Sequence, residues 1–330
     1  MNDISVRRTN TGDIHGLYRI WTTVFGDDGA GVFFSTYAGE YTCIAAISDD
    51  LQVAAGYLIP HGHLVCGDER ATCAMIYSVA TLQEYRNLGL GATIVRELIS
   101  AGRDTGYEAI VLCPSEDSLF DYYSTRAGFS DWFYADETVA INTAPLIGDS
   151  ELAGISPVEY HLLREDILGD TPHIELCSHA LVYQDHLCRE YGGGFFRIDS
   201  PAGLCCAIVE KQQDGAVRVI ELLGTGSPEN GDGKTKALSL IASAFPAESY
   251  TIRRPVPFSA QAMLSSEPLA LSPEIPALSP ENPGMQPKTR APIPASLHRV
   301  RRFGMIVASD NIFSQNSTKN MLPWYGPAFD

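Results

Sequence analysis

Val79-Ala80-Thr81-Leu82-Gln83-Glu84-Tyr85-Arg86-Asn87-Leu88-Gly89-Leu90-Gly91 is the stretch on which the reading of this 330-residue chain turns. Ala71–Thr81 reads as a strand, and Ala92–Asp104 sets Ile94, Val95, Leu98 and Ile99 on one helical face. A glycine-punctuated loop between strand and helix has a definite chemistry. Glycine lets the backbone curl close to a ligand, and the free N–H groups of the first helical turn, aided by the helix dipole, bind a pyrophosphate. Arg86 adds positive charge to the loop. A dinucleotide-binding loop would need GxGxxG after the first strand of a parallel unit and an acid ~20 residues on. This loop has two of those three glycines and follows an antiparallel meander, and no Gly-Lys-Ser/Thr follows to make a Walker A loop. The phosphate binder is of another kind.

Outward from that stretch, the chain alternates. Residues 4–8 read as a first strand, and Thr11–Phe25 carries Ile14, Leu17, Tyr18, Trp21, Val24 and Phe25 as a helical stripe, with Thr11 as its cap. Asp27-Asp28 caps or solvates the next turn, or helps gather a cationic acceptor, and a short helix carries Val32, Phe33, Phe34 and Tyr37. Thr42–Ser48, Val53–Pro60, Leu64–Gly67 and Ala71–Thr81 read as strands of a meander. Ala109–Cys113 is a buried strand, and Asp117–Ala127 a helix closed by Gly128. The first half is an α/β domain of 145 residues. The second half repeats the order: helices at Pro157–Ile167 and His173–Tyr191, strands at Gly194–Ile198, Gly203–Glu210 and Arg218–Leu223, a helix at Lys234–Phe245 and a strand at Ser249–Arg253. Pro255 to Pro294 holds ten of the twenty prolines and reads as an extended surface segment. Arg301–Ala308 and the apolar end Leu322–Phe329 recover order.

Composition bounds the function. At ~150 residues per domain the length predicts two domains, 1–145 and 146–330. With 45% hydrophobic and 19% charged residues each half can bury a core, so a disordered acidic chain is excluded. The net charge of −17 repels phosphate backbones and anionic lipid, so neither nucleic acid nor membrane is an expected partner. Residues 1–145 carry 8 arginines, no lysine and 19 acids, a net −11, against 15 basic and 21 acidic residues, a net −6, in 146–330. A cationic acceptor is therefore expected at the first half. The eight cysteines contain no CxxC, so neither a disulfide framework nor a zinc knuckle is expected. Met1–Arg8 lacks the apolar core of a signal peptide, and no stretch reaches the ~18 apolar residues of a membrane span, which together point to a reducing cytosol.

At Arg86, Gly89 and Gly91 the chain resembles the GNAT superfamily of acyl-CoA-dependent N-acyltransferases, whose Arg/Gln-x-x-Gly-x-Gly/Ala motif follows the fourth strand. The layout is similar to the tandem, enhanced-intracellular-survival-like branch, in the run Tyr18-Arg19-Ile20-Trp21 to Phe25-Gly26-Asp27-Asp28, in Phe33-Phe34, and in Val79-Ala80-Thr81 before Tyr85-Arg86. The resemblance implies an α/β (α+β) fold of two GNAT-like domains, each a mostly antiparallel mixed sheet flanked by helices, the second degenerate. Its loop Gly224-Thr225-Gly226-Ser227-Pro228 has neither the arginine nor the glycine spacing. The resemblance further implies that backbone groups of Val79, Ala80 and Thr81 bind a pantetheine arm. By the same implication, amides of Arg86, Asn87, Leu88, Gly89, Leu90, Gly91 and Ala92 hold the CoA pyrophosphate.

A second motif of the family, an apolar strand, a helix with Tyr and then Gly-Phe, is similar to Leu112-Cys113-Pro114 through Tyr122-Tyr123 to Gly128-Phe129. The family tyrosine lies four residues before the Gly and Tyr123 lies five before it, so a residue inserted near Arg126-Ala127 makes Tyr123 the general acid, with Tyr122 as the other candidate. In the survival-type branch the C-terminal carboxylate reaches the active site. The apolar end Trp324-Tyr325-Gly326-Pro327-Ala328-Phe329-Asp330 suits such insertion, with the Asp330 terminus expected near Tyr123. The function implied is acetyl transfer from acetyl-CoA, without a metal, to a primary amine on a small molecule or peptide. The competing reading is a non-catalytic acyl-CoA-binding or regulatory module. His61-Gly62-His63 has no third ligand at useful spacing and reads as a strand-turn face, Gly192-Gly193-Gly194 as a turn, and Ser78 has no base partner for a serine hydrolase. Oligomeric state is not legible in the sequence.

Overall fold

In the computed structural model, which describes residues 3–26, 29–141, 150–201, 203–224, 232–256, 297–308 and 322–329, strand β1 (Ile4–Arg8) leads through a one-turn 3₁₀ helix, Thr11–Asp13, into α1 (Ile14–Phe25). Asn10, not Thr11, caps this turn: its side chain accepts from Gly12, and Asp13 closes a capping box back onto the Asn10 amide. Helix α2 (Ala30–Thr36) follows, and Asp27 and Asp28 lie outside the described residues. Strands β2 (Thr42–Ser48), β3 (Leu51–Cys66) and β4 (Glu69–Thr81) form the expected meander. The two strands expected at Val53–Pro60 and Leu64–Gly67 are one strand, β3. Proline cannot donate a ladder bond, and the register shifts between Pro60 and Gly62, where Gly62 adopts a φ of 134° and the strand continues through a bulge.

Helix α3 (Leu90–Thr105), β5 (Ala109–Leu112), α4 (Asp117–Ala127) and β6 (Ser130–Ile141) complete the first half. The second half runs β7 (Glu151–Gly154), α5 (Pro157–Leu168), β8 (His173–Leu176), α6 (Ser178–Glu190), β9 (Gly194–Ser200), β10 (Gly203–Lys211), β11 (Val217–Gly224), α7 (Asp232–Ala244), β12 (Ser249–Pro255) and β13 (Leu297–Ala308). His173–Leu176, expected to open a helix, is a strand paired with Gly62–Val65 of β3. Pro172 biases the residue before it toward extended backbone, and the four residues bury three side chains against that edge. The proline-rich stretch lies almost wholly outside the described residues. No helix among the described residues is long and apolar enough to cross a membrane.

All these strands join one mixed, mostly antiparallel sheet flanked by helices, in the order β1-β2-β3-β4-β5-β13-β6-β12-β11-β10-β9-β7, with β8 on the side of β3. Among the strand pairs of the described residues, β4–β5 and β11–β12 are parallel, and each pair is linked by a crossover through one helix, α3 or α7. At the centre the halves interleave, because β13 lies between β5 and β6 while β6 also pairs with β12.

Alternation along the strands divides the core. Ala55, Tyr57 and Ile59 face α1, α2 and α6, whereas Ala54 and Leu58 face α3 and α4. A side chain on Gly56 would begin 2.9 Å from Ile94, so the glycine lets α3 seat directly on the sheet and fixes where its N-terminus lies.

Candidate active site

Strand β4 outruns its parallel neighbour. The β4–β5 ladder ends at Met75 opposite Val111, while β4 continues to Thr81 with only β3 beside it, Ala80 opposite Ala55 and Thr81 opposite Ala54. Between Tyr77, opposite Tyr57, and Ala80, two residues of β4, Ser78 and Val79, oppose the single residue Gly56. This is a β-bulge, and Ser78 takes a left-handed φ of 51° to make it. A bulge bends and twists its strand, and β4 has no β5 pairing beyond Met75. Val79, Ala80 and Thr81 thus lie on an edge that is unpaired on the β5 side, where extended amide groups of a ligand would have backbone to pair with.

The loop beyond this edge carries two left-handed residues, Asn87 at φ 64° and Gly89 at φ 77°, and leads into α3. No side chain caps α3. Its first intrahelical bond runs from the Thr93 amide to the Gly89 carbonyl at 3.1 Å, leaving the amides of Leu90, Gly91 and Ala92 in the uncapped turn. Residues 86–89 are exposed, and Arg86 Nε donates to the Thr81 carbonyl at 3.2 Å, which ties the loop to the end of β4. A side chain on Gly91 would come within 3.3 Å of the Tyr122 hydroxyl, so only glycine keeps that approach open. An uncapped helix terminus beside an exposed loop fits a pyrophosphate, and the adjacent strand edge fits a pantetheine amide chain.

Tyr122 and Tyr123 sit on α4, which closes at the left-handed Gly128, whose amide donates to the Ser124 carbonyl while the Phe129 amide donates to the Tyr123 carbonyl. The helix runs to Ala127 and its last turn is wide, the Gly128 amide reaching back to the carbonyls of both Ser124 and Tyr123, and the position four before Gly128 is the exposed Ser124. Tyr122 turns its hydroxyl to the first turn of α3. Tyr123 packs against the α3 face of the sheet, edge-on to Tyr122 and Phe129 at ring separations of 5.3 and 6.3 Å. Burial, with the neighbouring Tyr122 phenol, pushes the Tyr123 hydroxyl up to about 12.

The C-terminal segment lies on the opposite face of the sheet. Trp324 joins the core by a bridge to β8, its amide donating to Pro172 at 2.8 Å and its carbonyl accepting from Ile174 at 3.0 Å. Its indole N–H donates to Glu221, which is wholly buried beside Arg164 and Tyr160. Phe329 follows with a left-handed φ of 59°, its ring set among His61, Tyr77 and Tyr183 at 5.5, 5.7 and 5.0 Å. The Tyr77 hydroxyl donates to the Phe329 carbonyl at 3.4 Å and lies 3.2 Å from the Tyr183 hydroxyl. A carbonyl only accepts, so the Tyr77 proton goes to Phe329 and Tyr183 donates to Tyr77. Phe329 and Tyr123 thus pack on opposite faces of the sheet. Asp330 itself lies outside the described residues. Tyr77 and Tyr183 carry no local sequence signal, because what unites them is a contact between β4 and α6.

His61 is wholly buried against Tyr325 and Phe329 rather than on a strand-turn surface. Burial and then the Arg164 charge lower it to about 3, so it is neutral. Among the described residues no group of three or more His, Cys, Asp or Glu is placed to hold a metal ion.

A bulged strand that outruns its parallel neighbour, followed by an uncapped glycine-led helix, is an arrangement that fits a phosphate-bearing carrier along one strand edge. Residues 5–129 match the family model described as an acetyltransferase (GNAT) domain. Over that span, less than half of the chain, the sequence is similar to the GNAT acetyltransferases. No curated protein is similar to it in sequence. Solved structures share the fold across both halves. An Enterococcus faecalis protein described as a probable N-acyltransferase is 12% identical, with a TM-score of 0.62 over 93% of this chain and 73% of its own. GCN5-related N-acetyltransferases from Anabaena variabilis (12% identity, TM-score 0.60, 92% and 72% covered) and Kribbella flavida (16%, 0.57, 92% and 71%) are alike in the same way.

Proposed function

We propose that the protein is an acetyl-CoA-dependent N-acetyltransferase whose acceptor is a primary amine on a cationic small molecule or peptide. Residues 1–145 supply the catalytic domain, and 146–330 form a degenerate second copy that shapes the acceptor cleft. The observation that carries this reading is the junction of the unpaired β4 edge with the uncapped α3 terminus. Amides of residues 86–92 hold the pyrophosphate, and Val79, Ala80 and Thr81 hold the pantetheine, which lays the thioester along the β4 edge beyond its last pair with β5. The −11 charge of the first 145 residues supports a cationic acceptor, which that field attracts.

The chemistry assigned to the side chains is as follows. The amine, having given up its proton, adds its lone pair to the thioester carbonyl, and the carbonyl electrons move to oxygen. When they return, the carbon–sulfur bond breaks, the leaving sulfur takes the Tyr123 proton, and the surplus proton on the amide nitrogen passes to the phenolate, restoring the acid. A phenol held up to about 12 keeps that proton at neutral pH until the thiolate forms. The base is the C-terminal carboxylate of Asp330, and the seating of Phe329 beside Tyr77 supports a chain end close to β4. Calorimetry with acetyl-CoA, then a thiol-release assay over polyamines, aminoglycosides and basic peptides, tests the reading. Binding without release on any amine would leave a carrier-binding module, and no binding would defeat both.

A further inference from the structure

Two free-energy costs coincide at Ser78. Its backbone is left-handed at φ 51°, a conformation that glycine adopts without strain and serine does not. Its hydroxyl oxygen is buried and, among the described residues, has no hydrogen-bond partner. Glycine would remove the first cost and alanine the second, so folding alone accounts for neither. The residue stands three positions beyond the last β4–β5 pair, in the bulge opposite Gly56, where the strand edge is unpaired on the β5 side. Its neighbour Tyr77 is already engaged with Phe329 and Tyr183.

We propose that the Ser78 hydroxyl donates a hydrogen bond to the acyl oxygen of the bound thioester. The inference rests on the acetyl-CoA reading of the site. Ser78 neither gains nor loses a proton: its O–H stays on the acyl oxygen while the amine adds, strengthens as that oxygen becomes negative, and weakens again when the carbon–sulfur bond breaks. The hydroxyl orphaned in the protein alone is thereby satisfied in the complex.

Acetyl-CoA has the acyl oxygen and CoA does not, so the two ligands separate this role from a structural one. Ser78→Ala is expected to weaken acetyl-CoA binding about fivefold to tenfold, the scale of one hydrogen bond, while leaving CoA affinity unchanged in calorimetry. Turnover should fall with it. Ser78→Gly guards against a folding defect, because it relieves the backbone. It should melt at a higher temperature than Ser78→Ala and show the same selective loss. Equal losses for both ligands, or acetyl-CoA affinity unchanged in both variants, would overturn the assignment and leave the cofactor reading standing. A wild-type protein that binds neither ligand would overturn both.

Discussion

Tyr122 and Tyr123 are neighbours on one helix with different surroundings, and that difference orders them as acids. Tyr123 is held among apolar side chains beside Phe129, and its proton is retained to about pH 12. Tyr122 points at the α3 terminus, where the proposed site puts phosphate rather than sulfur. Tyr123→Phe is therefore expected to lower thiol release about 100-fold, the scale of general-acid catalysis, with acetyl-CoA affinity kept. Tyr122→Phe should act mainly on that affinity. A larger turnover loss in Tyr122→Phe would move the acid to Tyr122. His61 gives a second residue-scale prediction, on stability. Its folded value, about 3, lies below the ordinary 6.5, so the unfolded chain takes up a proton that the folded one refuses. The contribution to stability is present above pH 6.5 and is lost as pH falls toward 3. His61→Leu removes this titration. In urea unfolding at pH 7, 5 and 4 the wild type should lose more stability than the variant, and parallel curves would refute the prediction.

At the scale of elements, α3 with its loop is the part that local sequence specifies best. The helical spacing of Ile94, Val95, Leu98 and Ile99 gave its buried face, and Gly89 and Gly91 gave its start, because both signals are contained within a few residues. Gly89 has a definite task, a φ of 77° that turns the chain into an uncapped first turn. Gly89→Ala is expected to cost about 1 kcal/mol of stability and to weaken CoA binding beyond that, since the amides would be re-aimed. Loss of stability with unchanged CoA affinity would separate the turn from the phosphate site. Helix α4 was equally legible, from Asp117 to its glycine stop. What stayed hidden was set by distant partners. Pro60 and the glycine after His61 look like a break until the register shift against β4 is seen, and His173–Leu176 is too short for periodicity to separate from the helix it precedes. The bulge at Ser78 is invisible for the same reason, since a bulge exists only relative to the strand across from it.

At the scale of the molecule, the decisive contacts join residues far apart in sequence. The C-terminal segment is bound into the core through Trp324 and Glu221, and Trp324→Phe, which keeps a ring beside Phe303 but deletes the N–H, should cost about 1–3 kcal/mol in urea unfolding by leaving Glu221 short of a donor. Removing Ala328, Phe329 and Asp330 should lower turnover and spare acetyl-CoA affinity, because the phosphate-binding turn lies on the other face of the sheet. The sheet makes the strongest demand. Both neighbours of β6, namely β12 and β13, come from beyond residue 248, and β5 relies on β13 for one of its two edges. A fragment ending at residue 145 keeps the loop, the β4 edge and both tyrosines, yet leaves β6 without a partner and β5 with an open edge, which invites association. The residues proposed to hold the carrier therefore span less of the chain than the unit of folding does. The full chain is expected to unfold in one calorimetric transition, and fragment 1–145 to show neither a cooperative transition nor CoA binding. A fragment that melts cooperatively and binds CoA would show that the strands contributed by the second half are dispensable to the first.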